Sequence, residues 1–586
     1  MPAVRKNWHL LPNDPTAAAQ LARTANTSAV VAQLLLNRGI CTPAAARAFL
    51  DSPMKALHPP EHLPGIAAAA DRLTRSVAAN EKICIYGDYD VDGTTGTAIL
   101  LGMLERIGAT VEFYIPNRLG EGYGLNCDAI RQLAASGVQL LVTVDCGIAS
   151  IAEADEARRL GMSLIVTDHH EMLDRLPDAD VLVHPRLPGS AYPAGELSGA
   201  GVAFKLAWAV AQRASGAEKV AERFREYLLD ALALGALGLV ADVMPLRDEN
   251  RIFVRHGLNR LGTKPTVGIK ALIDAAGLSE TKNLRSEDIG FRLAPRINAA
   301  GRLECARLVV ELLTTTNLVR AKVLAEYLED LNAKRQALER KATTQAKEIV
   351  ELNGFDAAPG IVLGHVDWHQ GVVGIVASRL VEHYARPVLL VALKPGDEVS
   401  TGSGRSVPGF PLHEALRACD EELVGHGGHA AAAGFKVRPT RVIALREKFI
   451  AFAAAHFDGE PPTPKLRLEA EVPLAALTHG LLAEIEKLEP YGTDNLRPRF
   501  LATGLKVDGE PKRMGDGGRH LSLRIRQGTT AIRAVGWNMA DRIEELMSAN
   551  GECSLAFTLK LNEWQGQRKV EIEIIDLRPG AVPELV

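Results

Sequence analysis

Between residues 81 and about 245 short apolar runs alternate with helical stretches, and run after run ends in an aspartate. The runs are Ile83–Tyr86, Val111–Ile115, Gln139–Val144, Ser163–Val166 and Val181–Val183, with helical stretches such as Thr95–Ile107 and Ile151–Leu160 between them. This alternation is the signature of successive βαβ units, hence a mostly parallel sheet. Open parallel sheets bind ligands beyond the carboxyl ends of their strands. There the first run delivers Asp88, Asp90 and Asp92, the third Asp145, and the fourth Asp168, His169 and His170. A further apolar segment, Leu237–Leu246, supplies Asp242.

One aspartate after a strand is commonly the N-cap of the next helix. A whole set at equivalent positions is costly to bury unless cations offset the repulsion, so the set implies metal. The stretch GDYDVDG (87–93) has the spacing of a calcium loop, but such a loop needs a bidentate Glu where Ile99 stands, and a strand precedes it instead of a helix. Oxygen-dominated ligation favours Mg or Mn, and imidazole tilts the choice toward Mn. Several bridging carboxylates suit two ions about 3.5–4 Å apart, the arrangement of two-metal phosphoryl transfer. His169 and His170 are adjacent and must diverge: one is expected on the metal, the other facing substrate or protonating the leaving group.

At 586 residues the chain is expected to form a few domains. No apolar run reaches the roughly 18 residues of a membrane span, the opening residues lack a signal-peptide core, and the seven cysteines are scattered without a CxxC pair. These features argue for a reducing, cytoplasmic setting and against a membrane partner, a zinc ribbon or a disulfide scaffold. The net charge of −4 does not announce a nucleic-acid binder, yet Leu496–Arg533 carries nine Lys/Arg against three acids.

The chain divides into an Ala-rich helical extension (1–80), the α/β unit (81–316), a long charged helix (317–352) with apolar Leu318, Leu324, Leu328, Leu331 and Leu338, a second α/β unit (353–458), and, after the linker Gly459–Pro464, a β-rich unit (465–580).

With VTDHH (166–170), GDYDVDG and TVDCG (143–147), the chain resembles the DHH phosphoesterase superfamily, most closely its single-stranded-DNA-specific exonucleases, over nearly its whole length. The resemblance implies an α/β fold class: a DHH domain with a mostly parallel sheet, a connecting helix, a DHHA1 α/β domain and a C-terminal OB-fold β-barrel. It implies Asp90, Asp92, Asp145, His169 and Asp242 as metal ligands for two Mn2+ or Mg2+ ions. Asp88 and His170 would lie directly on the metals or behind the ligands, with Asp88 the most dispensable, and Asp168 would orient the histidines. FRLAPRINAAGR (291–302) resembles the segment that turns back over the active site, with Arg296 and Arg302 on phosphate and Asn298 holding the turn. HQGVVGIVASRL (369–380), TGSGRS (401–406) and GHGGHAAAAGF (425–435) resemble DHHA1, where Ser403, Arg405 and His429 would hold a terminal phosphate, with Arg118 a further contact. LSGAGVAFKL (197–206) reads as packing. Trp537 and Trp564 are candidate stacking surfaces on the barrel.

The implied activity is metal-dependent degradation of single-stranded DNA, 5′ to 3′, to nucleoside 5′-monophosphates, in recombination and repair. The implied partners are single-stranded DNA, a single-strand-binding protein and a RecQ-type helicase, acting with a monomer. Manganese pyrophosphatases of the superfamily carry a His four residues before the central Asp, where Tyr86 stands here. A phosphodiesterase for short oligonucleotides or cyclic dinucleotides would not need the basic β unit. A non-catalytic single-strand clamp would have lost ligands, and none of the matched positions is lost.

Overall fold

The computed structural model describes residues 6–586 apart from 119, 194, 304, 305, 395, 459–462, 565, 566, 581, 582, 584 and 586, so most of the interdomain linker lies outside the described residues. A short strand, β1 (Asn7–Leu10), opens the chain, and helices follow to Asp51 and over Ile66–Ala78. The α/β series then builds a sheet from β2 (Ile83–Gly87), β3 (Val111–Tyr114), β4 (Leu140–Val144), β5 (Ser163–Thr167) and β6 (Val181–Val183), in the order β3-β2-β4-β5-β6. Every pairing in it is parallel. Alternate strand residues serve opposite faces. Ile83, Ile85, Leu140 and Val142 join the core shared with the helices Val91–Arg106, Gly199–Ser215 and Glu222–Ala241, while Cys84, Tyr86 and Leu141 pack under Cys127–Ala135 and Ile151–Arg159. The chain runs from β2 to β3 on one side and returns to β4 on the other. The strand order therefore reverses between β2 and β4, and the loops after those two strands part and leave a crevice.

The segment Leu237–Leu246 does not form a strand. The helix Glu222–Ala241 runs to the residue before Asp242, because Leu and Ala carry it, despite Gly235 and Gly238, through a buried position without an alternating polar face. Asp242 thus arrives from a helix C-terminus and not from the sheet.

The connecting helix, Leu318–Asn353, is 36 residues long, about 54 Å. Its buried stripe takes Leu324, Leu328 and Leu331 and then continues through Arg335, Glu339, Ala342, Ala346 and Val350, while Leu318 is exposed. Beyond it, β7 (Ile361–His365), β8 (Val388–Ala392), β9 (Ser400–Arg405), β10 (Leu423–Gly428) and β11 (Ala432–Val437) form a sheet in the order β10-β11-β9-β8-β7, parallel only between β7 and β8.

The C-terminal unit contains β12 (Lys465–Leu468), β13 (Ala470–Glu471), β14 (Phe500–Val507), β15 (Lys512–Met514), β16 (His520–Gln527), β17 (Thr530–Gly536), β18 (Glu552–Trp564) and β19 (Gln567–Pro579). The path β14-β18-β19-β17-β16 closes through a β14–β16 pairing into a five-stranded barrel, the strand number of an OB-fold. β1 pairs in parallel with β12, and the helices from Pro15 to Asp51 share the barrel's core, whereas Ile66–Ala78 packs on the α/β core. One guanidinium ties these parts together. Arg251, fully buried, donates to the carbonyls of Phe49, Lys487, Leu488, Glu489 and Pro490 and to the hydroxyl of Ser52. No helix of the described residues is long and apolar enough to cross a membrane.

Candidate metal centre and phosphate pocket

The helix after β2 starts at Val91 because Asp90 caps it, its Oδ1 accepting the Gly93 N–H at 3.0 Å. Gly93 does not form a turn before the helix but lies in its first turn. A Cβ there would meet the Asp88 backbone at 2.6–2.7 Å, so the glycine is required by close approach. Asp92, in the same first turn, is buried, and its oxygens accept the N–H groups of Gly199 (2.6 Å) and Ala200 (3.1 Å) at the start of Gly199–Ser215. The LSGAG segment is therefore more than packing. It grips Asp92, and a side chain on Gly199 would strike Asp145 at 2.5–2.7 Å.

Asp145 follows β4 with φ +65°, an unusual conformation for a residue other than glycine and one that clusters at functional sites. Asp168 follows β5. Its Oδ1 accepts the His169 N–H (2.7 Å) and His170 N–H (3.2 Å) and meets His170 Nδ1 at 2.7 Å, while Oδ2 accepts the Ile148 N–H at 2.9 Å. His169 Nε2 then lies 3.0 Å from Asp145 Oδ1, 3.6 Å from Asp242 Oδ2 and 3.7 Å from Asp92 Oδ2. Ligand atoms of Asp92, His169 and Asp242 converge within 4.8 Å of one another, as do those of Asp88, Asp90 and Asp145 and those of Asp145, His169 and His170. Asp145 belongs to two of these sets, so the structure offers one continuous centre with two lobes.

The electrostatics match. Burial, then the charge of Asp90, pushes Asp92 up to about 6. Burial, then Asp92 and Asp90, pushes Asp242 up to about 8. Burial and the neighbouring carboxylates raise Asp88 and Asp145 well above the carboxylate range. Asp88 Oδ1, Asp145 Oδ1 and His169 Nε2 are buried without a hydrogen-bond partner among the described residues. Orphaned donor atoms of this kind, in a set of oxygens plus one imidazole, fit a hard divalent cation. Burial and the charge of His170 push His169 down to about 3, which leaves a neutral ring suited to ligation. At Asp168 burial acts upward, yet the hydrogen bond and charge of His170 hold it at about 2. At His170 burial acts downward, yet Asp168 holds it at about 9.

Asp88, placed last among the carboxylates by the sequence, sits in one of the converging sets with a free buried oxygen. Tyr123, which the sequence did not single out, places its hydroxyl 3.1 Å from His170 Nδ1 and donates to the Asp145 carbonyl at 3.1 Å. The only sequence signal for it is its place in the Gly-rich GEGYG stretch.

The expected phosphate contacts divide. Arg302 is largely buried, donates to the Gly371 carbonyl at 3.2 Å, and is lowered to about 10 by burial and then by the charges of Arg118, Arg405 and Arg335. Arg405 donates to Ser403 Oγ at 3.0 Å, and both flank Gly374 at the start of the helix Val373–Tyr384. Arg118 stacks over the Tyr89 ring at 4.9 Å. Among the described residues these guanidiniums form no ion pair with a carboxylate, an arrangement suited to an anion. Arg296 turns away from them and pairs with Glu329 on the connecting helix. His429 is exposed in the turn between β10 and β11, with no hydrogen bond from its ring to Ser403 or Arg405. Asn298 and Arg302 line a cleft of about 610 Å³ with Phe291, Arg335, Ile375 and Leu496, walled by all three domains.

On the barrel, Trp537 is half-exposed and meets His520 edge to face, while the Trp564 side chain lies outside the described residues. Part of the local positive charge is spent on ion pairs: Arg526 with Asp508, Arg533 with Glu571, and Arg497 with Glu287 across the domain boundary.

Comparison with known proteins agrees with this architecture. Family models match over residues 82–236 (DHH family, N-terminal domain), 358–455 (DHHA1 domain) and 468–576 (RecJ OB domain). The single-stranded-DNA-specific exonuclease RecJ of Bacillus subtilis (strain 168) is 36% identical over 98% of this chain and 71% of its own length. The crystal structure of RecJ in complex with Mn2+ from Thermus thermophilus is similar at TM-score 0.83 and 33% identity, over 99% of this chain and 80% of that one. Its Mg2+ complex gives 0.78 and 32%, over 99% and 79%.

Proposed function

This chain belongs to the RecJ family of DHH phosphoesterases, and on that premise we propose that it hydrolyses single-stranded DNA from the 5′ end, releasing nucleoside 5′-monophosphates. It is a metal-dependent, single-stranded-DNA-specific exonuclease, an activity consistent with a role in recombination and repair. The observation that carries the finer reading is the adjacency of two sites. The carboxylate–imidazole centre at the ends of β2, β4 and β5 lies beside the carboxylate-free Arg118–Arg302–Arg405 cluster.

Asp88, Asp90, Asp92, Asp145, His169 and Asp242 would hold two divalent cations, Mn2+ or Mg2+. When bound, these supply an activated water and offset charge on the leaving oxygen. Gly199 and Ala200 keep Asp92 in place, and Asp168 holds the His170 ring and the His169 backbone. His170 keeps its proton at neutral pH and stands ready to pass it to the leaving oxygen. Arg302, Arg405, Ser403 and Arg118 take the terminal phosphate, which sets the strand end one nucleotide from the scissile bond and gives the 5′ to 3′ direction. A single-strand-binding protein and a RecQ-type helicase as partners, a monomeric state and a cytoplasmic location complete the reading, supported by the family resemblance.

The test feeds strands labelled at either end to the purified protein with Mn2+ or Mg2+, beside Asp90→Ala. Wild type is expected to release mononucleotides from the 5′ label first and the variant none. Equal release by both would remove the metal assignment, and early loss of the 3′ label would reverse the polarity.

A further inference from the structure

Among the carboxylates of the centre Asp242 comes from a helix end and not from the sheet, and its side chain is 29% exposed against 3% for Asp145. Asp90 and Asp92 accept backbone N–H groups of helix first turns and Asp168 those of three loop residues, whereas among the described residues no hydrogen bond reaches the Asp242 carboxylate or that of Asp145, which follows directly on β4. Its aim depends on the backbone that carries it. Asp242 caps the C-terminus of Glu222–Ala241, and the chain then reverses through Val243, whose φ is +59°. The Val243 N–H donates to the Val240 carbonyl (3.2 Å) and the Met244 N–H to the Leu239 carbonyl (3.1 Å). This pair of bonds is the Schellman ending, in which the left-handed position normally belongs to glycine. A β-branched residue there is a true outlier, and its side chain is two-thirds exposed, so burial of that side chain does not compensate the strain.

The compensation comes from the next few residues, which are pinned by the C-terminal unit. The Leu246 N–H donates to the Thr493 carbonyl at 2.9 Å. Leu246 is buried against Gly492, so closely that a Cβ on that glycine would lie 2.7 Å from Leu246 Cδ1. Arg247 pairs with Asp494 at 2.8 Å. The pinning loop is itself immobilised by Arg251 on the carbonyls of residues 487–490, by Ser286 on the Tyr491 carbonyl, and by Arg497 on Glu287 at 2.8 Å.

We propose that the loop 489–497 of the C-terminal unit is a positioning element of the metal centre, which aims Asp242 by holding the strained turn at Val243. The inference rests on the reading of Asp242 as a metal ligand. Without the pin, Val243 relaxes to negative φ, the helix ending opens, and Asp242 swings out of its set with Asp92 and His169. The barrel is then part of the active site's construction as well as a surface for the strand.

The test is Mn2+ binding by titration calorimetry to the full-length protein without DNA, with the melting profile as the check on folding. Leu246→Ala removes the apolar contact with Gly492 and so loosens the pin. It is expected to weaken one of the two binding events about tenfold, about 1.4 kcal/mol, and to leave the other unchanged. Adding Val243→Gly, which makes the same turn free of strain, is expected to restore that event in the Leu246→Ala background, an outcome that a merely destabilised fold would not give. Should Leu246→Ala not fold, Gly492→Ala, which pushes on Leu246 from the other side, is read the same way. Wild-type affinity for both ions in a folded pin variant, or no recovery with Val243→Gly, would overturn the proposal. Asp92→Ala serves as the control: if it too binds Mn2+ as wild type does, the reading of the metal centre has failed, and not the coupling.

Discussion

His169 Nε2 lies 3.0 Å from Asp145 Oδ1, and neither atom has a hydrogen-bond partner among the described residues. Two buried polar atoms this close and unsatisfied describe a centre whose charge balance is completed by cations, and its consequences can be measured.

The metal-free centre is expected to be a source of strain. Asp145→Asn replaces a carboxylate whose ionisation burial and the charges of Asp92, Asp90, Asp88 and Asp242 oppose with a neutral amide, so the chelated variant is expected to melt above chelated wild type. Mn2+ at a hundredfold its Kd is expected to stabilise wild type by about 2.7 kcal/mol and the variant much less. Scanning calorimetry with chelator and with Mn2+ measures both.

Arg405→Ala is expected to act on the strand end and not on the chemistry. Loss of a charge-assisted contact, about 1.5–3 kcal/mol, is expected to lower kcat/KM by tenfold or more on 5′-phosphorylated strands. The effect on 5′-hydroxyl strands is expected to be far smaller. Equal losses on the two substrates would place Arg405 in the fold and not on the phosphate.

Lys205 and Glu249 form a fully buried pair at 2.6 Å, joined by the hydroxyl of Tyr192. Lys205→Met leaves the Glu249 carboxylate buried and uncompensated, and is expected to cost about 3–5 kcal/mol in chemical unfolding of the α/β core. Adding Glu249→Gln is expected to recover part of it.

Glu484 ties the N-terminal helices to the barrel, accepting the Ser28 N–H at 2.7 Å and the Thr27 hydroxyl at 3.1 Å. Burial acts to raise its pKa, but the bonds from Ser28 and Thr27 outweigh burial and hold it below 4.5. A depressed carboxylate contributes stability that is present above its unfolded pKa and lost as pH falls through the folded one. Glu484→Gln is expected to flatten the acid side of the stability profile from about pH 4.5 downward, measured by melting temperature against pH.

Much of the centre was legible in one dimension because most of its carboxylates and its histidines follow strands. A buried parallel strand is a continuous apolar run, and the residue after it stands at the carboxyl edge of the sheet whatever the rest of the chain does. That suffices for Asp88, Asp90, Asp92, Asp145 and the Asp168-His169-His170 triplet. It misplaces the element under Asp242, since a fully buried helix and a buried strand present the same apolar run. It also cannot show that Asp88 has a free buried oxygen, or tell Arg296 from Arg302, six residues apart yet set against Glu329 and the cluster of Arg118 and Arg405.

The local pattern of apolar period and turn residues thus determines the order of elements, the sheet and the ends at which charge collects, because those follow from nearest-neighbour backbone geometry. The joining of β1 to β12, the closure of the barrel through β14 and β16, the grip of Gly199 and Ala200 on Asp92, and the pinning of Leu246 by Thr493 were decided only in three dimensions. Each depends on contacts between residues far apart in the chain, and no local preference encodes which distant backbone groups will meet once the apolar faces have been buried.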